Sequence, residues 1–126
     1  MNASLQSLKD AGIEVVAVSA DPVDTSASFI TSEKLDLQVA CNLTEEAMRE
    51  LGLYVSDPKN YQPQKHRFSE PGYFFLTREN IIKYICVSSH PMGGRVNVAA
   101  LLAGVKWSEE ELKSNPSFSN VLWGSK

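Results

Sequence analysis

Apolar positions fall in short blocks along the chain, and their spacing changes from block to block. Leu5, Leu8 and Ala11 recur at helical spacing over residues 2–11, and Gly12 is suited to a left-handed C-terminal cap. Ile13 to Ala20 is a β-branched, nearly all-apolar run, the pattern of a strand covered on both faces in a parallel sheet. Asp21-Pro22 breaks it. Asp24 or Thr25 is placed to cap a helix reaching about Lys34, with Ala27, Phe29, Ile30 and Leu35 inward. Leu37 to Ala40 is a second short strand. Asn42 with Glu45 three residues on resembles a capping box, and Ala47, Met48 and Leu51 give the next helix an apolar face up to Gly52.

Residues 54–71 are polar and carry Asp57-Pro58, Pro63 and Pro71, which predicts a long loop of the functional or mobile kind. Tyr73 to Leu76 and Ile81 to Val87 are apolar runs around Thr77-Arg78-Glu79-Asn80, which predicts a hairpin. Pro91 and Gly93-Gly94 mark a turn-rich connector. Asn97 is placed to cap a helix through Val98, Leu101, Leu102 and Val105, and Ser108 a further acidic turn. The tail over 115–126 reads as irregular, yet docked through Phe118, Leu122 and Trp123. The chain thus predicts one α/β domain over 1–114. Its early strands are joined by right-handed parallel crossovers, and its late hairpin makes the sheet mixed.

Composition narrows the class. The 126 residues are 43% apolar and 21% charged, a globular balance. No run approaches the roughly 18 apolar residues of a membrane span, and no secretory leader is evident. Twelve Lys and Arg against fifteen Asp and Glu give a net charge of −3, which argues against nucleic acid as the partner. Two cysteines, Cys41 and Cys86, suit a reducing cytoplasm better than a disulfide-stapled secreted module.

Several segments combine to carry a family resemblance. They are Leu8-Lys-Asp-Ala-Gly-Ile-Glu-Val-Val-Ala-Val-Ser-Ala-Asp21-Pro22, Val39-Ala-Cys-Asn42 and Glu46-Ala-Met-Arg-Glu-Leu-Gly-Leu53. Pro71-Gly-Tyr-Phe-Phe-Leu76, Ile81-Ile-Lys-Tyr84 and Asn97 to Val105 follow in order. Over residues 3–106 they resemble the thioredoxin-fold peroxiredoxin-like group, the alkyl hydroperoxide reductase/thiol-specific antioxidant proteins or redoxins. The resemblance implies a three-layer α/β/α fold with a mixed sheet. It implies a thiol oxidoreductase without cofactor, in which a thiolate attacks a peroxide oxygen, becomes a sulfenic acid and is reduced by a partner thiol protein.

In that family the attacking cysteine opens a helix, where the dipole favours the thiolate. Against the family pattern this chain starts inside that helix, so it lacks the N-terminal hairpin, the active-site strand and that cysteine. The resemblance then implies a truncated domain with open inner sheet edges, whose two halves close on each other or whose sheet a homodimer or domain swap completes, the dimer being the favoured outcome. By resemblance, Pro71 falls near the family's cis-proline, and Arg67 and Glu70 border its active site. The family's strand order sets Cys41 and Cys86 roughly 19 Å apart at about 4.8 Å per strand, too far for an internal disulfide.

Other candidates have simpler readings. Cys41 precedes a helix, where a thiol is activated, but it also suits a packed strand end. Cys86 reads as a strand residue. His66 and His90 with the cysteines match no zinc spacing, so no metal is expected. Ser88-Ser89-His90 lacks a nucleophile elbow, and Pro91-Met-Gly-Gly94 reads as a turn rather than an anion cradle. Lys59, Lys65, His66 and Arg67 with Tyr61 and Phe68 read as a solvated basic loop rather than a nucleic-acid surface. Two functions follow: a redoxin-type thiol oxidoreductase without its peroxidatic cysteine, or a non-catalytic module that self-associates or binds a partner through open sheet edges.

Overall fold

The computed structural model describes residues 2–60 and 62–118. Tyr61, the side chain of Phe118 and the tail residues Leu122 and Trp123 lie outside the described residues. The described parts of Met1–Gly72 and Val87–Gly94 form one compact unit, and those of Tyr73–Cys86 and Arg95–Lys126 a second.

The first unit starts with α1 (Asn2–Asp10), which buries Leu5 and Leu8 as its spacing predicts. Gly12 then takes φ 72°, and Ile13 N–H returns to Leu8 O, closing the helix end. β1 (Val16–Val18) pairs in parallel with β2 (Gln38–Ala40), with Ala17 opposite Val39. The crossover between them is α2 (Val23–Glu33). The α/β order with a parallel ladder is therefore present, and it suits a thioredoxin-like fold.

Several expectations are corrected. β1 is shorter than Ile13–Ala20 and is not covered on both faces: Val16 is 51% and Val18 54% exposed. Among the described residues its ladder partner lies on one edge only. α2 is rotated from the predicted face. It buries Ser26 and leaves Ala27 and Phe29 exposed, with Ile30 half-buried one turn beyond Ser26. Neither Asp24 nor Thr25 caps it; Pro22 does, through its extended backbone. The cap of α3 (Glu45–Glu50) is Thr44, whose Oγ1 accepts from Ala47 N at 3.2 Å. Asn42 instead adopts φ 60°, a conformation its short side chain tolerates. Met48, 1% exposed, is the most deeply buried side chain described.

The 54–71 segment is not a plain loop. β3 (Val55–Ser56) pairs antiparallel with β4 (Phe68–Ser69), and Glu70 N–H to Tyr54 O at 2.8 Å extends the pair. No described peptide bond is cis, so Glu70–Pro71 is trans rather than the cis bond the resemblance implied.

β5 (Gly72–Leu76) and β6 (Ile82–Val87), all but Gly72 and Val87 in the second unit, form the predicted hairpin as a separate two-stranded sheet. Thr77 N–H bonds Ile81 O and Asn80 takes φ 61° in the turn. Asn97 caps α4 (Val98–Ser114), its Oδ1 accepting from Ala100 N at 3.1 Å. The expected break at Ser108 does not occur. That hydroxyl donates to Gly104 O at 2.8 Å, so the helix itself satisfies it and runs on. A single 3-10 turn, Pro116–Phe118, follows.

Candidate functional site

In open α/β sheets, ligand crevices form at the carboxyl ends of parallel strands. Here that end holds a cleft of about 380 Å³ lined by Ala20, Asn42, Leu43, Glu45, His66 and Arg67. Hydrogen bonds that continue the ladder shape its floor. Ser19 N–H donates to Ala40 O, Leu43 N–H to Ser19 O and Asn42 N–H to Asp21 O.

The 54–71 segment brings the basic residues to the cleft. In the β3–β4 register, Asp57 stands opposite Arg67, and Arg67 Nε donates to Asp57 Oδ1 at 2.8 Å. The same guanidinium donates through Nη1 to Glu45 Oε1 at 2.9 Å. Arg49, one turn along α3, donates to the same oxygen. Hydrogen bonding from Arg49, then from Arg67, holds the Glu45 carboxyl below the usual glutamate range. Asp57 and then Glu45 push the Arg67 guanidinium further up. His66 sets Nε2 3.1 Å from Asp21 Oδ1 and Nδ1 2.9 Å from Arg67 O. Ser19 Oγ donates to the other oxygen of Asp21 at 3.0 Å. The carboxylate thus lies between hydroxyl and imidazole. His66 is not placed to take the Ser19 proton, and the line is not a hydrolytic triad.

The other predicted residues separate from this cluster. Glu70 is 6% exposed; its Oε1 accepts from Ser56 Oγ at 2.6 Å, and its Oε2 is buried without a partner. Arg67 is thus paired with Asp57 and Glu45, only one Glu70 oxygen is bonded, and Pro71 O accepts from Ser88 N–H at 2.9 Å. Cys41 directly follows β2, half-buried, its thiol 3.9 Å from Val39 O and three residues ahead of the α3 cap. Cys86 is half-buried in β6, its thiol beside Tyr84. Partial burial, then Cys86, raises the Tyr84 hydroxyl above its ordinary value. Neither cysteine forms a disulfide among the described residues. Ser88 Oγ donates to His90 O at 2.7 Å and accepts from His90 N, while His90 Nδ1 accepts from Met92 N–H. Residues 88–94 are therefore a self-bonded turn. Among the described residues no cluster of three His, Cys, Asp or Glu is arranged to hold a metal.

Reading the chain alone missed Ser19, Asp21, Glu45, Asp57 and Ser56 as partners. The Asp-Pro pairs at 21 and 57 marked two of them as chain breaks but said nothing of what they face. The larger cleft, about 540 Å³, lies at the opposite end of the ladder beside Leu5, Ile13 and Leu35. Its charged Lys9 and Asp36 pair with each other at 3.0 Å. We regard the smaller cleft as the better candidate because it gathers histidine, arginine and carboxylates.

No helix is long and apolar enough to cross a membrane among the described residues. No curated protein matches the chain. A model of the AhpC/TSA family matches residues 1–85, ending before the Asn97–Val105 segment that the sequence resemblance also used. With β1, α2, β2, α3 and β5 inside that match, the chain belongs to the AhpC/TSA family, the thioredoxin-fold, peroxiredoxin-like redoxins.

Proposed function

We infer that this chain is a redoxin-type domain that does not reduce peroxides by itself and acts through self-association. The observation that carries this is the position of Cys41. It stands three residues before the Thr44 cap, off the helix end, with its thiol turned to the Val39 carbonyl. The other cysteine, Cys86, lies within β6 beside Tyr84. Neither has the helix-end setting that a peroxidatic thiol uses. On this reading the partner is a second copy, a thiol reductant protein serves only family members with the attacking cysteine, and both thiols stay reduced in a cytoplasmic setting.

The test is peroxide consumption with a dithiol reductant. The expected rate equals that of buffer, for the wild type and for Cys41→Ser and Cys86→Ser alike. A clear rate that Cys41→Ser abolishes overturns the reading and makes Cys41 a relocated attacking thiol.

A further inference from the structure

His66 stands between two hydrogen-bond acceptors. Its Nδ1 lies 2.9 Å from Arg67 O and its Nε2 3.1 Å from Asp21 Oδ1. A carbonyl oxygen only accepts, and so does an ionised carboxylate. Ser19 fixes the Asp21 carboxylate as an acceptor on its other side as well. Its hydroxyl donates to Oδ2 at 3.0 Å and takes the Asp21 N–H at 3.1 Å. Both ring nitrogens of His66 must therefore donate, and only the imidazolium carries two N–H groups. With a single proton, either tautomer sets a nitrogen lone pair against an oxygen and loses one of the two bonds.

The other charges nearby are engaged elsewhere. Glu45 from α3 and Arg67 from the ring's own segment line the cleft beside His66. They bond each other, and Arg49 and Asp57 complete that group. Hydrogen bonding from Arg49 and then Arg67 holds the Glu45 carboxyl low, and the Arg67 guanidinium is pushed up, so both keep their charges through neutral pH. The Lys65 ammonium turns to Gln62 O. Asp21 is thus the charged group bonded to the ring.

We propose that His66 is a pH-sensitive clasp. It fastens the segment ahead of β4 to the turn after β1 when its ring holds two protons, and loosens when one proton leaves. The bond to Asp21 joins residues 45 apart in sequence, so it is the one that ties the two parts together. The ring is also a wall of the cleft, and its release frees that wall. Ring and carboxylate are 38% and 29% exposed, which sets the size of the effect at that of a partly solvated pair. The clasp requires neither self-association nor a reactive thiol, so its failure leaves that reading standing.

Tryptic cleavage after Lys65 reads the clasp. Rates are measured by mass spectrometry at about pH 5.5 and about pH 8, either side of the ordinary imidazole value. Each is divided by the rate for an unstructured peptide of the same sequence. Wild type is expected to be cut about two- to fivefold more slowly in acid. His66→Ala removes only the ring and should be cut at the faster rate at both pH values. Asp21→Asn is the sharper variant. Its amide oxygen still accepts from Ser19 Oγ, while its NH2 donates to a ring nitrogen without a proton, so a singly protonated His66 keeps both bonds. This variant should stay slow at both pH values, with circular dichroism unchanged. Equal normalised rates for wild type at the two pH values overturn the clasp. So does a pH dependence that persists in His66→Ala or in folded Asp21→Asn. Should Asp21→Asn not fold, wild type and His66→Ala decide the matter by themselves.

Discussion

At the scale of single residues, the tightest constraint is the turn over 88–94. Gly94 takes φ 62°, and a Cβ added there meets Ser88 Cβ at 2.9 Å. Ser88 has no room to move, since its N–H bonds Pro71 O and its hydroxyl bonds His90 at both ends. Gly94→Ala therefore combines left-handed strain with a contact that cannot relax. It is expected to cost about 1–3 kcal/mol in urea unfolding; an unchanged midpoint refutes the strain argument. Glu45 supplies a pH handle. Its carboxyl is held low in the folded state, first by Arg49 and then by Arg67. A lowered value means the stabilisation is fully present above the ordinary glutamate value of about 4.3 and disappears as pH falls through the folded value. Melting temperature against pH should then show a shallower acid limb in Glu45→Gln than in the wild type. Identical limbs in the two proteins count against the arginine pairing.

At the scale of elements, β3 and β4 hold the candidate site together. Ser56 Oγ donates to the buried Glu70, whose second oxygen already lacks a partner. Ser56→Ala leaves the whole carboxyl group unpaired in the interior and is expected to destabilise the protein by about 1–3 kcal/mol. Amide exchange at Glu70 N–H, which pairs with Tyr54 O across the same strands, should accelerate in that variant. If exchange there stays as slow as in the wild type, the strand pair does not depend on this bond. These strands also mark where sequence reading stops. Residues 13–20, 37–40 and 73–87 were legible because their apolar blocks are local signals of strands and a turn. The pairing of Val55 with Ser69, and of Asp57 with Arg67, was not. It joins residues across a polar, proline-bearing stretch whose pattern looks like solvent-facing loop. The α3 cap failed for a subtler reason. Asn42 and Thr44 both have capping chemistry, and the choice fell to backbone geometry, with Asn42 taking the left-handed turn. His66 and Arg67 were visible as a basic stretch, but the carboxylates that hold them come from α3, β1's end and β3's end.

At the scale of the whole chain, the apolar interior is thin. Among the described residues, only Leu5, Leu8 and Met48 are buried hydrophobic side chains, while Val16, Val18, Phe29, Ile82, Ile85 and Trp107 remain about half exposed. A domain of this length ordinarily removes about two thirds of its unfolded surface from water, and burial is the main term set against chain entropy. Association that covers exposed strands should thus supply part of the stability. Mass action then makes unfolding depend on concentration. If dissociation and unfolding are one step, a hundredfold rise in protein concentration adds about 2.7 kcal/mol per dimer, half of that per chain. For a domain of this size that raises the melting temperature by about 4–7 °C. A wild-type melting temperature that stays flat across that range means each chain is stable alone. The exposed valines are then ordinary surface, and the sheet edge contributes nothing to holding the fold.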